Sequence, residues 1–209
     1  GRPKSVKAIE AAMASHGKWL AVAAQKDVAI EDPKPEELYP LGVLVEVVQY
    51  LKMPDGTLKV FLQGHARTKL AAMEYSAAKG HWEASLDYPE ASGKTGPELK
   101  ALMRHALETA EEHSKLSRRA PAETAALAAV EDASELADKA SAALIVKAAD
   151  RQALLELLEP AARLEKLVVL LKADIEILTL ERKIHTRVKS QIEKTQKEYY
   201  LNEQMKAIQ

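Results

Sequence analysis

Gly42-Val43-Leu44-Val45-Glu46-Val47-Val48-Gln49-Tyr50-Leu51-Lys52-Met53-Pro54-Asp55-Gly56-Thr57-Leu58-Lys59-Val60-Phe61-Leu62 decides the fold of the first half of this chain. Side chains of a strand alternate between two faces. Val43, Val45, Val47 and Leu51 therefore point one way, and Leu44, Glu46, Val48 and Tyr50 the other. Pro54-Asp55-Gly56 makes a tight turn, because Pro fixes φ and Gly accepts φ > 0. Leu58, Val60 and Leu62 return as the second strand, so the stretch reads as a β-hairpin.

Upstream, Pro3 suits the first turn of a helix, and Val6, Ile9 and Met13 follow on one face. Gly17 is placed to stop that helix. Trp19 to Ala24 reads as a short buried strand, Asp32-Pro33-Lys34-Pro35 as a loop, and Pro35 to Leu38 as one helical turn. Downstream, Arg67 to Tyr75 and Trp82 to Tyr88 read as a further strand pair. Ala71, Ala72, Ala77 and Ala78 would equally suit a helix.

Composition changes near residue 90. Ala91 to Pro97 is a small-residue linker, and beyond it only helix signals remain. Thr95-Gly96-Pro97-Glu98 and Asp132-Ala133-Ser134-Glu135 read as capping boxes, and Pro121 and Pro160 fit first-turn positions. Helices are expected near 97–118, 121–129, 133–146, 150–158 and 161–209. In the last, Leu164, Val168, Leu171, Ile175 and Leu178 step 4-3-4-3, a coiled-coil seam. The stripe drifts on through Leu180, Ile184, Val188 and Ile192. Such a helix would run about 70 Å, against a body diameter of about 40 Å for the remaining residues. It is expected to project, as a strut, a subunit contact or a lead into another domain.

The bulk properties restrict function. The chain has 209 residues, room for one or two domains, with 47% hydrophobic and 29% charged residues, which is globular and not disordered composition. A net charge of −1 gives no general pull toward nucleic acid or membrane. There is no Cys, which excludes disulfides and thiol chemistry. No apolar run approaches the ~18 residues of a membrane span, and no signal peptide opens the chain.

Ser92-Gly93-Lys94-Thr95 has a P-loop ending, but Tyr88 occupies the place of the required first Gly. The segment reads as linker and cap. His16, His65, His81, His105, His113 and His185 show no metal-ligand spacing. Arg182, Lys183, Arg187, Lys189, Lys194 and Lys197 could suggest nucleic acid, yet Glu181, Glu193 and Glu198 interleave them, as on a solvated helix face. Tyr199, Tyr200, Leu201 and Met205 are less bland. Three consecutive bulky side chains cannot all meet one packing partner on a helix. They serve either interdomain or subunit packing or direct contact with unfolded substrate.

The closing stretch Arg187 to Gln209, above all Glu198-Tyr199-Tyr200-Leu201-Asn202-Glu203-Gln204, closely resembles the segment that precedes the ATPase module in Lon proteases. Other pieces agree in order: Gly1-Arg2-Pro3-Lys4-Ser5, Ala24-Gln25-Lys26-Asp27, Pro54-Asp55-Gly56-Thr57, a Gly-x-x-Arg turn at Gly64-His65-Ala66-Arg67, Gln152 to Glu156, and Arg163-Leu164-Glu165. The resemblance implies an α+β fold: a β-rich PUA-like lobe over 1–90 with its opening strands absent, a helical lobe over 91–160, and one long projecting carboxyl-terminal helix over 161–209 leading to a missing AAA+ module. It implies substrate recognition and hexamer organisation in a cytoplasmic protease that degrades damaged or unfolded proteins. A purely structural scaffold fixing ring geometry is the alternative. No cofactor is expected in this chain; ATP and Mg belong to the missing ATPase module, and peptide cleavage to a missing Ser–Lys module. The expected partners are unfolded or damaged protein substrates and further copies of the chain; no membrane is expected, and nucleic acid is a secondary candidate. Tyr199, Tyr200 and Met205 are the substrate or pore-entrance candidates. Leu178, Ile184, Val188 and Ile192 are the subunit-contact candidates.

Overall fold

A computed structural model describes residues 2–90, 96–118 and 121–208. The elements run α1 (Pro3–Ala14), β1 (Trp19–Val22), a 3-10 turn (Pro35–Glu37), β2 (Leu41–Lys52), β3 (Leu58–Ser76), β4 (His81–Asp87), α2 (Pro97–Ser117), α3 (Pro121–Ala128), α4 (Ala133–Leu144), α5 (Ala148–Glu156) and α6 (Pro160–Ile208). This is the expected order of a β-rich lobe, a helical lobe and a long last helix. Two compact units result: Gly1–Ser92 with Leu155–Leu158, and Gly93–Leu154 with Glu159–Gln209.

The first unit is a four-stranded antiparallel sheet in the order β1-β2-β3-β4. The hairpin and the second strand pair are one continuous ribbon, because β3 runs through both and pairs β2 with its first part and β4 with its last. Three register shifts curl it. Val47 opposes Leu62 but Gln49 opposes Phe61, which leaves Val48 as an extra residue. Leu44 opposes Ala66 and Val45 opposes Gly64, so His65 is extra in β3. The expected Gly-x-x-Arg turn is therefore a bulge inside a strand. A third shift falls between Ala71 and Glu74, where Ala72 takes φ 41°. Bulges bend a strand and increase its twist.

Two local expectations change. α1 ends at Ala14, not at Gly17; the Ser15 amide and hydroxyl both bond the Ala12 carbonyl, at 3.0 and 2.7 Å. Gly17 instead lies under Trp19, where a Cβ would overlap the indole. β1 is also not buried: it is an edge strand, and Trp19 is exposed.

The second unit packs α2 and α4 against the first part of α6, and α3 lies on α2 and α4. Its core joins Ala106, Ala110, Leu136, Ala137 and Ala140 to Leu154, Leu164, Leu167, Val168 and Leu171. Alanines on α2 and α4 let the helix axes approach closely and leave α6 to supply the large side chains. Asp132 caps α4 as expected, accepting from the Glu135 amide at 2.8 Å. α2 starts at Pro97 with Gly96 at its cap position; Thr95, expected there, lies outside the described residues, as does Ser92 to Lys94.

Two polar ties fix α6. Buried Arg163 donates to Asp138 Oδ1 at 2.8 Å and to Ser134 Oγ at 3.1 Å on α4. Buried His113 on α2 pairs through Nε2 with Asp174 Oδ2 at 2.6 Å, and its Nδ1 has no protein partner among the described residues. Asp174→Ala would leave both ring nitrogens unpartnered in the interior. The expected cost is about 1–3 kcal/mol, read as a lower urea midpoint for unfolding; a loss below about 0.5 kcal/mol would show that the pair contributes nothing.

Candidate functional site

Past the pairing of β1 with β2, the ribbon of β2 and β3 continues as a two-stranded arm. Met53 N–H donates to Thr57 O at 2.8 Å and Gly56, at φ 81°, closes the turn. Asp55 accepts from the Thr57 hydroxyl at 2.7 Å and from its amide at 2.9 Å. These bonds, the hydroxyl first, hold the Asp55 carboxyl below its ordinary range.

The bulge at Val48 changes what the arm presents. Register places Tyr50, Val60 and Leu62 on the face of Val47, and Leu51 and Phe61 on the opposite face. The alternation expected for β2, with Leu51 on the side of Val43, therefore breaks at Val48. Val43 to Val47 keep to it, and Val45 and Val47 are buried. Val48, Tyr50, Leu51, Met53, Phe61 and Leu62 are all exposed. No single sheet face hides them, because the arm is apolar on both.

A second feature of this unit is a cleft of about 1420 Å³ between α1 and the sheet, with Leu44, Leu70, Met73, Trp82 and Leu86 along it. Its rim is tied by Lys4, which pairs with Asp32 at 2.6 Å and lies 4.9 Å above the Tyr75 ring, and by Arg2, which donates to Gln25 Oε1 at 2.6 Å. Trp19 meets His65 edge to face at 4.6 Å.

In the second unit the expected 4-3-4-3 seam divides. Leu164, Val168 and Leu171 are buried in the unit's own core, and Ile175 and Leu178 are half-buried. Arg182 then donates to Lys115 O at 3.0 Å and Leu116 O at 2.7 Å, satisfying the last carbonyls of α2. Beyond this point every residue to Met205 is exposed. Ile184, Val188 and Ile192 form a stripe, half or more exposed at 58, 50 and 52%. Tyr199, Tyr200 and Met205 are exposed too, spread around the helix as consecutive and six-residue spacings require. In the basic run, Arg182 is spent on α2, while Lys189 and Lys194 lie 3.9 and 4.0 Å from Glu193 and Glu198.

Among the described residues no group of three or more His, Asp or Glu side chains could hold a metal ion. No helix there is long and apolar enough to cross a membrane.

Comparison with known proteins decides the family. The profile of the "ATP-dependent protease La (LON) substrate-binding domain" matches residues 1–173. The chain belongs to the Lon substrate-binding domain family. It is 49% identical over its full length to the Lon protease of Elusimicrobium minutum, and 38% identical to that of Escherichia coli K12. It spans about a quarter of the length of these curated relatives, 25% and 26%. Its fold is similar to the N-terminal domain of the Mycobacterium avium complex Lon protease, at TM-score 0.65 and 23% identity, covering 81% of this chain and 86% of that one. The Lon family match takes in both the arm and the cleft, and ends close to where α6 leaves its core.

The arm was missed as a site by sequence reasoning, which read it only as a β-hairpin with two alternating faces. The signal available was that both faces of one hairpin are bulky. The two halves of α6 should differ sharply when perturbed. Ile184→Glu with Val188→Glu is expected to change unfolding free energy by less than about 0.5 kcal/mol, and Leu167→Ala to cost about 2–5 kcal/mol. Urea unfolding of the 209-residue chain checks both, and comparable losses would contradict the division.

Proposed function

We propose that this chain recognises exposed apolar segments of unfolded or damaged proteins for a cytoplasmic Lon-type ATP-dependent protease and helps to organise its hexamer. The observation that carries this reading is the set of bulky side chains left in solvent within the Lon substrate-binding region, residues 48–62 foremost. Native proteins hide such side chains, so affinity for them distinguishes damaged molecules from intact ones. Catalysis belongs elsewhere in the full-length protein: ATP and Mg to an ATPase module, peptide cleavage to a Ser–Lys protease module.

The free half of α6 supports the assembly role. A helix face with Ile184, Val188 and Ile192 exposed gains by covering it with a neighbouring subunit. Leu178, half-buried by its own chain, has less surface to offer. Tyr199, Tyr200 and Met205 are assigned to the entrance of the ATPase ring, where a threaded polypeptide passes. Met suits this role because its flexible thioether adapts to varied apolar sequences.

The stripe also favours the second reading, a scaffold without substrate contact; the apolar surface of the first unit favours recognition. Photocrosslinking of an unfolded substrate to the 209-residue chain, with mapping of the adducts, separates them. Adducts concentrated within residues 1–173 are expected, and their absence would leave the scaffold. In the full-length protein, Met205→Ser is expected to slow degradation of unfolded substrates several-fold while basal ATPase and hexamer formation persist. Full degradation would remove Met205 from the pathway, and loss of the hexamer would make it a packing residue. Ile184→Glu with Val188→Glu is expected to weaken assembly by sedimentation.

A further inference from the structure

The hairpin arm has a property beyond its exposed side chains: its backbone is open. β1 pairs with β2 only from Val43 to Glu46, and β4 pairs with β3 only from Lys69 to Ser76. Leu58 to Gly64 therefore hydrogen-bonds to β2 on one side and has no strand on the other among the described residues. Seven residues of free edge match the length of an ordinary strand. Open edges are commonly blunted by Pro, by charges or by shortness. This one holds a single charge, Lys59, and no Pro. Phe61 stands beside the edge on one face, and Leu62 on the other.

We propose that the outer edge of Leu58–Gly64 is a docking site for an extended, bulky-apolar segment of a non-native polypeptide, which adds to the sheet as a fifth strand. This deepens the recognition role above and rests on it. Main-chain hydrogen bonds along the edge supply affinity that does not depend on sequence. Alternate side chains of the incoming segment fall beside Phe61 and beside Leu62, because a strand's side chains alternate. The site thus selects two properties that unfolding exposes together: unpaired backbone and alternating bulky side chains. Folded proteins mostly keep both covered.

Size decides against a second copy of this chain as the occupant. The six exposed side chains of the arm present on the order of 600 Å², taking roughly 200 Å² for a large side chain. This is divided between two faces, so one partner meets about half. A stable protein interface needs about 800 Å² on each side. The arm suits a weak contact that is made and released as a chain is passed on.

The test uses the 209-residue chain and a fluorescein-labelled twelve-residue peptide of alternating Phe and Thr. A second peptide carries N-methyl groups on the amides of one edge, and a third on the amides of the other. Binding is read by anisotropy for the unaltered chain and for Phe61→Thr with Leu62→Thr, both exposed positions where Thr keeps strand geometry. The double variant is expected to bind at least ten-fold more weakly with an unchanged circular dichroism spectrum. Methylation of one peptide edge is expected to abolish binding, and of the other to leave it. If the variant has lost its fold, the methylated pair alone decides. Equal binding of all peptides overturns strand addition, and unchanged binding by a folded variant overturns the site, while recognition itself stands. No binding of any peptide by the unaltered chain removes the recognition reading as well. A change of sedimentation with the variant, without loss of peptide binding, makes the edge a contact between copies and overturns the proposal.

Discussion

Leu164, Leu167, Val168 and Leu171 on α6 meet alanines on α2 and α4, and the rest of the helical unit is arranged around that contact. A methyl facing an isobutyl group lets axes come close while filling the space between them, so α2 and α4 can bury one turn after another of α6. The polar ties sit where they restrict this packing. Arg163 fixes the start of α6 to α4, His113 with Asp174 fixes its rotation against α2, and Arg182 marks the last carbonyls of α2. A helix nucleated and held so firmly can extend, since adding a residue costs far less than starting a turn. The exposed remainder of α6 depends on the buried part in this sense.

The sheet unit answers to a different constraint. A strand of 19 residues cannot stay flat and serve two neighbours, so β3 bends at His65 and again near Ala72. Between these bends it belongs to the curled sheet. Before them it belongs to the arm. The bulge at Val48 on β2 acts with them and puts Leu51 opposite the buried valines. Exposure of the arm is therefore a product of strand register, with the same residues that would otherwise read as core.

Helix starts were legible because their chemistry is local. Pro3, Pro97, Pro121 and Pro160 each open a helix, and Asp132 caps one. The hairpin was legible because period two and a Pro-Asp-Gly turn leave few alternatives. Bulges were not, because an extra residue exists only relative to a partner strand, and neither sequence alone specifies it. The seam on α6 shows the same limit differently. A 4-3-4-3 stripe states that a helix has an apolar side, and Leu164 to Leu171 could as well have met another subunit as α2 and α4. At the candidate site, Ile184, Val188, Ile192, Tyr199, Tyr200 and Met205 stood out in the sequence by their spacing and bulk and are exposed, whereas Phe61 and Leu62 were hidden behind an ordinary strand pattern.

Arg182 gives the long helix a mechanical character. A rod clamped at one end is a lever, and Met205 lies 23 residues beyond the clamp, an arm of about 35 Å at the helical rise. The hydrogen-bond ladder of an α-helix resists twisting, so a turn imposed near Tyr199 reaches the clamp largely undiminished. There it meets two carbonyl oxygens of α2, and one helical turn earlier the half-buried Leu178. A small torque at the free end is thus resisted by a few bonds near the fulcrum, and those bonds are the first to give when the load grows.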